Sequence, residues 1–148
     1  MNIRLATRQD AHHFVEFNTA MAFETEGKTL DQPTVEAAVN AIFDDPNKGF
    51  YIVAEEGDEV IGGLLITYEW SDWRNAYWWW IQSVFLRPEA RGKRVYSQLN
   101  DFVRVRAREA GNVYGIRLYV ETENVHAQRV YEKVGMERSP YLMYAEML

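Results

Sequence analysis

Apolar and polar positions alternate through NIRLAT at the start of the chain, and a period of two predicts a strand. From about Gln9 to Phe23 the period lengthens to that of a helix. TEGKTLDQP breaks the pattern with turn-forming residues. Val35, Ala38, Val39 and Ile42 then recur at helical spacing in a second helix, which Thr34 or Asp31 can cap. DDPNKG closes it. GFYIVAEEGDEVIGGLLITYEW reads as two strands around a Gly-Asp turn, an antiparallel hairpin. After the turn SDWRN comes AYWWWIQSVFL, a third long strand rich in aromatic and β-branched side chains. RPEARGKR separates it from a helix over about Val95–Ala110, whose apolar face carries Val95, Leu99, Phe102, Val103 and Ala110 and which Gly111 ends. GIRLYVE alternates again, NVHAQRVYEKVGM is a short helix stopped at Gly135, and SPYLMYAEML closes as a final strand. The order is β-α-α-β-β-β-α-β-α-β. With no repeat, low-complexity segment or linker, it reads as one α/β (α+β) domain over residues 1–148.

Composition narrows the class. A chain of 148 residues, 47% hydrophobic and 14% aromatic, can bury the core of a single compact domain. AYWWWI and GGLLI are too short to span a bilayer, and the first 20 residues contain no apolar signal-peptide core, so a cytoplasmic protein without a membrane partner is expected. The absence of cysteine removes disulfides, zinc–thiolate sites and a cysteine nucleophile. His12, His13 and His126 are too scattered to form a metal site, so no metal is expected. A pI near 5.1 argues against a nucleic-acid partner.

The net charge of −6 hides an asymmetry. Residues 1–73 carry 14 acidic against 4 basic side chains, and residues 74–148 carry 8 against 12, local balances of −10 and +4. Seven of those twelve cations lie between Arg87 and Arg108. Such polarity suits an anion on one half and a cation on the other, although two differently charged solvated faces give the same counts.

The basic concentration sits where chemistry favours an anion. A strand running through a short loop into a helix leaves backbone N–H groups free at the helix start, where the helix dipole also favours negative charge. In RPEARGKRVYSQL, Gly92 allows close backbone approach, and Arg91, Lys93 and Arg94 add charge. The loop is not a P-loop: no glycine lies five residues before Gly92, and Arg94 stands where Ser or Thr is required. Taken alone it is equally a basic connection between two elements.

VFLRPEARGKRVYSQL followed by LYVETENVHAQRVYEKVGM resembles the GNAT superfamily of acyl-CoA-dependent N-acyltransferases. The first segment is similar to the family's V-x-P-x-x-R-G-x-G-x-G strand–loop–helix, which holds the CoA pyrophosphate. The second is similar to its N-x-x-A-x-x-x-Y-x-x-x-G pattern, met here by Asn124, Ala127, Tyr131 and Gly135, about 30 residues further on. The order of elements over essentially the whole chain also matches, implying the GNAT fold: a mixed, mostly antiparallel central sheet flanked by helices. Arg94 and Tyr96 depart from the pattern, standing where the family usually has glycine. Arg94 is expected to take a helical φ and offer its guanidinium to phosphate, and Tyr96 to turn its ring away from the ligand.

The resemblance implies acetyl transfer from acetyl-CoA to an amine, with acetyl-CoA as co-substrate. Arg91, Gly92, Lys93, Arg94, Val95, Tyr96 and Ser97 would hold the pyrophosphate, and Val84, Phe85 and Leu86, in the strand before the loop, the pantetheine arm. An N–H of that strand would serve the developing oxyanion. Tyr131 falls at the family's general-acid position, although its stripe with Ala127, Val130 and Val134 also suits core packing. Asn124 matches a pantetheine contact and is equally a helix N-cap. Glu121 is one candidate base and Glu24 and Glu26 are others; the latter two, from the region that often walls the family's substrate, are also candidate substrate residues, and each of the three is otherwise ordinary surface charge.

Three consecutive tryptophans on one strand must alternate faces, placing Trp78 and Trp80 together and Trp79 opposite. Most such rings pack a core, but Trp80 is a candidate for the substrate wall. Aromatic walls beside Glu69 and Asp72 would suit a cation, and one face could instead form a homodimer contact. ETEGKTLD with EWSDWR and WWWIQS is similar to a bacterial branch of the superfamily near the diamine and thialysine acetyltransferases. The expected partner is therefore a small, cationic primary amine. A protein amino group, a non-catalytic acyl-CoA-binding module and a purely structural domain are the alternatives.

Overall fold

The computed structural model describes all 148 residues, in two compact units, Met1–Leu118 and Tyr119–Leu148. The first contains β1 (Asn2–Leu5), α1 (Ala11–Glu26), α2 (Gln32–Asp44), β2 (Phe50–Glu56), β3 (Glu59–Ser71), β4 (Ala76–Leu86), α3 (Val95–Ala110) and β5 (Val113–Arg117). The second contains α4 (Val125–Lys133).

The strands form one mixed sheet in the order β1-β2-β3-β4-β5, antiparallel except for the parallel β4–β5 pair. Alternation assigns the two faces. Trp79 and Ile81 of β4, with Ile52, Leu64 and Ile66, pack against Val95, Leu99 and Val103 of α3. On the other face Tyr51, Val53, Val60 and Phe85 meet Phe14 and Phe17 of α1 and Val39 of α2. Sheet alternation on two sides and helical spacing on three helices thus make two cores from one sheet. No helix is long and apolar enough to cross a membrane.

Local chemistry explains the boundaries. Asp31 caps α2, accepting bonds from the Thr34 N–H (3.2 Å) and the Thr34 hydroxyl (2.6 Å). Gly27 and Gly111 end α1 and α3 in the left-handed region, at φ 63° and 79°. Asp10, 5% exposed, receives both arms of the Arg4 guanidinium (2.8 and 3.0 Å) and the Thr7 N–H (2.7 Å), tying β1 to the start of α1. These bonds hold its carboxyl below the usual aspartate range.

Two expectations about strands need correcting. The strand expected over GIRLYVE stops at Arg117, where its ladder with β4 ends. The final strand expected over SPYLMYAEML is absent, and residues 137–148 are exposed without regular structure. Alternation alone does not make a strand, because its backbone groups need a ladder to satisfy them.

Candidate active site

Strand β4 changes character half-way along. From Tyr77 to Trp80 it is paired on both sides, with β3 and with β5. From Ile81 to Leu86 the edge that faced β5 has no strand beside it, because β5 ends opposite Trp80. Within that stretch the register with β3 slips: Gly63 pairs with Phe85 and Leu65 with Gln82, so Leu64 faces both Ser83 and Val84. Ser83 takes φ 52°, a left-handed conformation that costs a non-glycine residue about 1 kcal/mol. Gly62 makes the close crossing feasible, since a Cβ there would lie 2.7 Å from the Phe85 carbonyl oxygen. The side chains of Val84 and Leu86 pack toward the α3 core, and Phe85 stacks on Phe17 at 5.0 Å, so this stretch offers its backbone to a ligand rather than its side chains.

Beyond Leu86 the chain is fastened before it reaches α3. Arg87 donates through Nε to the Val60 carbonyl (2.9 Å) and through Nη1 to Glu16 (2.7 Å). Arg91 donates through Nε to the Leu86 carbonyl (3.0 Å) and through Nη2 to Glu24 (2.9 Å). Lys93 and Arg94 make no ion pair and are exposed. The first intrahelical bond runs from the Gln98 N–H to the Arg94 carbonyl (3.2 Å), leaving the amides of Gly92, Lys93, Arg94, Val95 and Ser97 without an acceptor in the chain. Gly92 (φ 75°) and Arg94 (φ 62°) are both left-handed. The expectation of a helical φ at Arg94 is therefore corrected: the position has the backbone of a glycine and the side chain of an arginine. Tyr96 turns inward, 7% exposed.

This arrangement fits a pyrophosphate. Five open amides and two free cations lie at the start of a 16-residue helix, and a Cβ at Gly92 would meet nothing within 4 Å, so the mouth is open. The fit to a peptide-like arm is equally direct, because the open edge of β4 leads straight into this loop. A depression of about 400 Å³ at the other end of α3, lined by Leu5, Phe50, Trp79 and Arg106, has neither feature.

The expected substrate residues fall in two places. Glu24 belongs with the loop through its bond to Arg91, whereas Glu26 pairs only with Lys28, at 3.6 Å. Trp80 lies on the sheet face that bears Glu69 and donates its indole N–H to Glu69 Oε1 at 2.8 Å. In the second unit, Asn124 Oδ1 caps α4 by accepting the Ala127 N–H (3.1 Å). Gln128 ties the preceding turn by donating to the carbonyls of Glu121 and Thr122, and the Glu121 side chain is exposed. Tyr131 is half-buried, and burial pushes its hydroxyl above the usual tyrosine range.

Sequence reasoning missed three features: the Arg87 brace, the bulge at Ser83, and Asn100. The last is 1% exposed inside α3, with Nδ2 lacking an acceptor. Only the Gly62-Gly63 pair hinted at the bulge, and nothing in the sequence separated Arg87 from its basic neighbours.

The Acetyltransferase (GNAT) family model matches residues 11–136. The chain belongs to the GNAT acetyltransferase family. This GNAT chain has 39% identity to a possible acetyltransferase from Clostridium difficile 630, whose crystal structure superposes with a TM-score of 0.92 over 99% of this chain and 97% of that one. A predicted acetyltransferase with acetyl-CoA from Clostridium acetobutylicum shares the fold at 18% identity (TM-score 0.79; 98% of this chain and 95% of that one). So does an aminoglycoside 6′-N-acetyltransferase from Acinetobacter haemolyticus at 12% identity (TM-score 0.81; 100% and 99%). No curated protein matches the chain in sequence. The GNAT protein is an acetyl-CoA-dependent N-acetyltransferase, built on the mixed sheet with flanking helices that the family uses.

Proposed function

We propose that this enzyme acetylates the primary amine of a small cationic molecule by direct attack on the thioester. The observation that carries the site assignment is the open β4 edge, Ile81–Leu86, leading into the acceptor-free amides at the start of α3. The family model runs across both structural units, which supports reading residues 1–148 as one catalytic domain.

Acetyl-CoA supplies the acyl group as an activated thioester. The amides of Gly92–Ser97, with Lys93 and Arg94, hold the pyrophosphate. The backbone of Val84, Phe85 and Leu86 pairs with the amides of the pantetheine arm, and Asn124 contacts the same arm through the amide nitrogen that its capping role leaves available. A β4 amide beside the Ser83 bulge donates to the carbonyl oxygen as negative charge develops there. Glu121 takes the proton that the amine must lose. Tyr131 gives a proton to the departing thiolate, and its raised pKa keeps that proton in place at neutral pH.

The cationic preference follows from the acidic balance of residues 1–73 and from Glu69, whose carboxylate lies among tryptophans. Glu24 serves the loop instead, by holding Arg91. The test is a panel of polyamines, amino acids, aminoglycosides and arylamines assayed for kcat/KM at two ionic strengths. Cationic acceptors should lead and weaken with salt. A leading neutral or anionic acceptor, or no salt effect, would remove the cationic assignment and leave acetyl transfer standing.

A further inference from the structure

One cluster on the sheet lies outside the acetyl-CoA path. On the face of Trp78 and Trp80, Glu69 of β3 stands opposite Trp78, and Arg117 of β5 stands beside Trp80. The Arg117 guanidinium lies 3.7 Å from the Trp78 ring centroid and donates to Glu69 Oε1 at 3.2 Å. The indole of Trp80 donates to the same oxygen at 2.8 Å, so the other oxygen, Oε2, has only a 3.5 Å contact with Arg117. Gly115 makes the floor: a Cβ there would lie 2.5 Å from the Trp78 ring, so only glycine lets the indole lie across β5. The Arg74 guanidinium carbon also lies over the Trp78 ring, at 5.5 Å from its centroid, and closer over Tyr114, at 4.5 Å.

An aromatic face, a carboxylate and an indole that fixes the carboxylate are the parts of a cation site. We propose that Glu69, Trp78 and Trp80 form the box that recognises a second positive charge on the acceptor, with Arg117 as a resident guanidinium that the acceptor displaces. This rests on the reading of the enzyme as an acetyltransferase of cationic amines and names their class more closely. Arg117 is suited to displacement because its bond to Glu69 is long and one-sided, and it is the last residue of β5. Its pairing with Trp80 is also the last rung before the β4 edge opens. The box therefore adjoins the fork. Three to four residue steps along the strand lead from Trp80 to the bulge at Ser83 and Val84, which is on the order of 10 Å at strand spacing. The acceptor carries its second ammonium or guanidinium about that far from the amine that is acetylated.

Spermidine is the probe, and calorimetric titration without acetyl-CoA is the readout, so no turnover is needed. Arg117→Met should bind spermidine about tenfold more tightly than the parent, because the box is vacated. Arg117→Lys should stay near the parent, since a cation remains. Adding Glu69→Gln to Arg117→Met should remove the gain. Equal affinity of Arg117→Met and parent overturns the proposal, as does a gain that survives Glu69→Gln. A thermal shift with acetyl-CoA on the same samples keeps the two readings apart: its persistence without any spermidine gain removes the box alone. Its absence removes the acetyl-CoA site, and the spermidine series still decides the box.

Discussion

The two halves of β4 present opposite means of recognising a ligand. From Tyr77 to Trp80 the strand is paired on both sides, so its backbone is satisfied and only side chains face outward. From Ile81 to Leu86 one edge is open, and the side chains of Ile81, Val84, Phe85 and Leu86 are committed to two cores. The first half can discriminate by charge and shape, because Glu69, Trp78, Trp80 and Arg117 are set by register across three strands. The second can bind any ligand with amide groups in the right places, whatever side chains it bears. A cosubstrate common to a whole family suits the backbone half, and an acceptor that differs between members suits the side-chain half.

The largest expected effect tests a residue outside both halves. Tyr131→Phe keeps the ring and removes one proton, so kcat should fall about 10²-fold while acetyl-CoA and amine affinities hold. The alkaline limb of the parent's kcat profile should lie above the ordinary tyrosine value of 10.0, because burial raises this hydroxyl. Its protonated form is the active one, so activity is kept below the raised pKa and lost above it. Unchanged turnover, with chemistry rate-limiting, would return Tyr131 to packing.

Gly92→Val attacks the loop that the backbone half leads into, and not the side-chain half. A β-branched residue at φ 75° costs about 1–2 kcal/mol, so acetyl-CoA should bind about tenfold more weakly with spermidine binding unmoved. Titration calorimetry checks both. Coupled losses would show that the halves are not separate.

Trp80→Phe sharpens the side-chain half. Losing the 2.8 Å bond to Glu69 should raise KM for a cationic amine about threefold and leave KM for acetyl-CoA unchanged. The smallest effect concerns stability. Arg94→Gly releases a left-handed arginine and should raise unfolding free energy by about 1 kcal/mol in denaturant titration, while acetyl-CoA affinity falls for want of the guanidinium. A destabilised variant would mean that the Arg94 side chain supports the loop.

What the sequence made legible divides along the same line. Local periodicity delimited α3 at Val95–Ala110, and a glycine among cations located the helix-start site, because both are written in consecutive residues. Alternation also put Trp78 and Trp80 together and opposite Trp79. The pairing of Glu69 with Arg117, 48 residues apart, depends on the registers of two strand pairs, which no local pattern specifies. A helical φ is expected of Arg94 because Arg is a good helix former, and the loop overrides that preference. SPYLMYAEML carries strand-like alternation, but a strand exists only with a partner.

Amide hydrogen exchange with and without saturating acetyl-CoA tests the central claim most directly. Protection should appear in peptides covering residues 82–86 and 92–97, the open β4 edge and the acceptor-free amides of the loop, and leave Tyr77–Trp80 as slow as before. A rise in melting temperature with acetyl-CoA but no added protection in those two segments would contradict the assignment of the cosubstrate to the backbone half of β4.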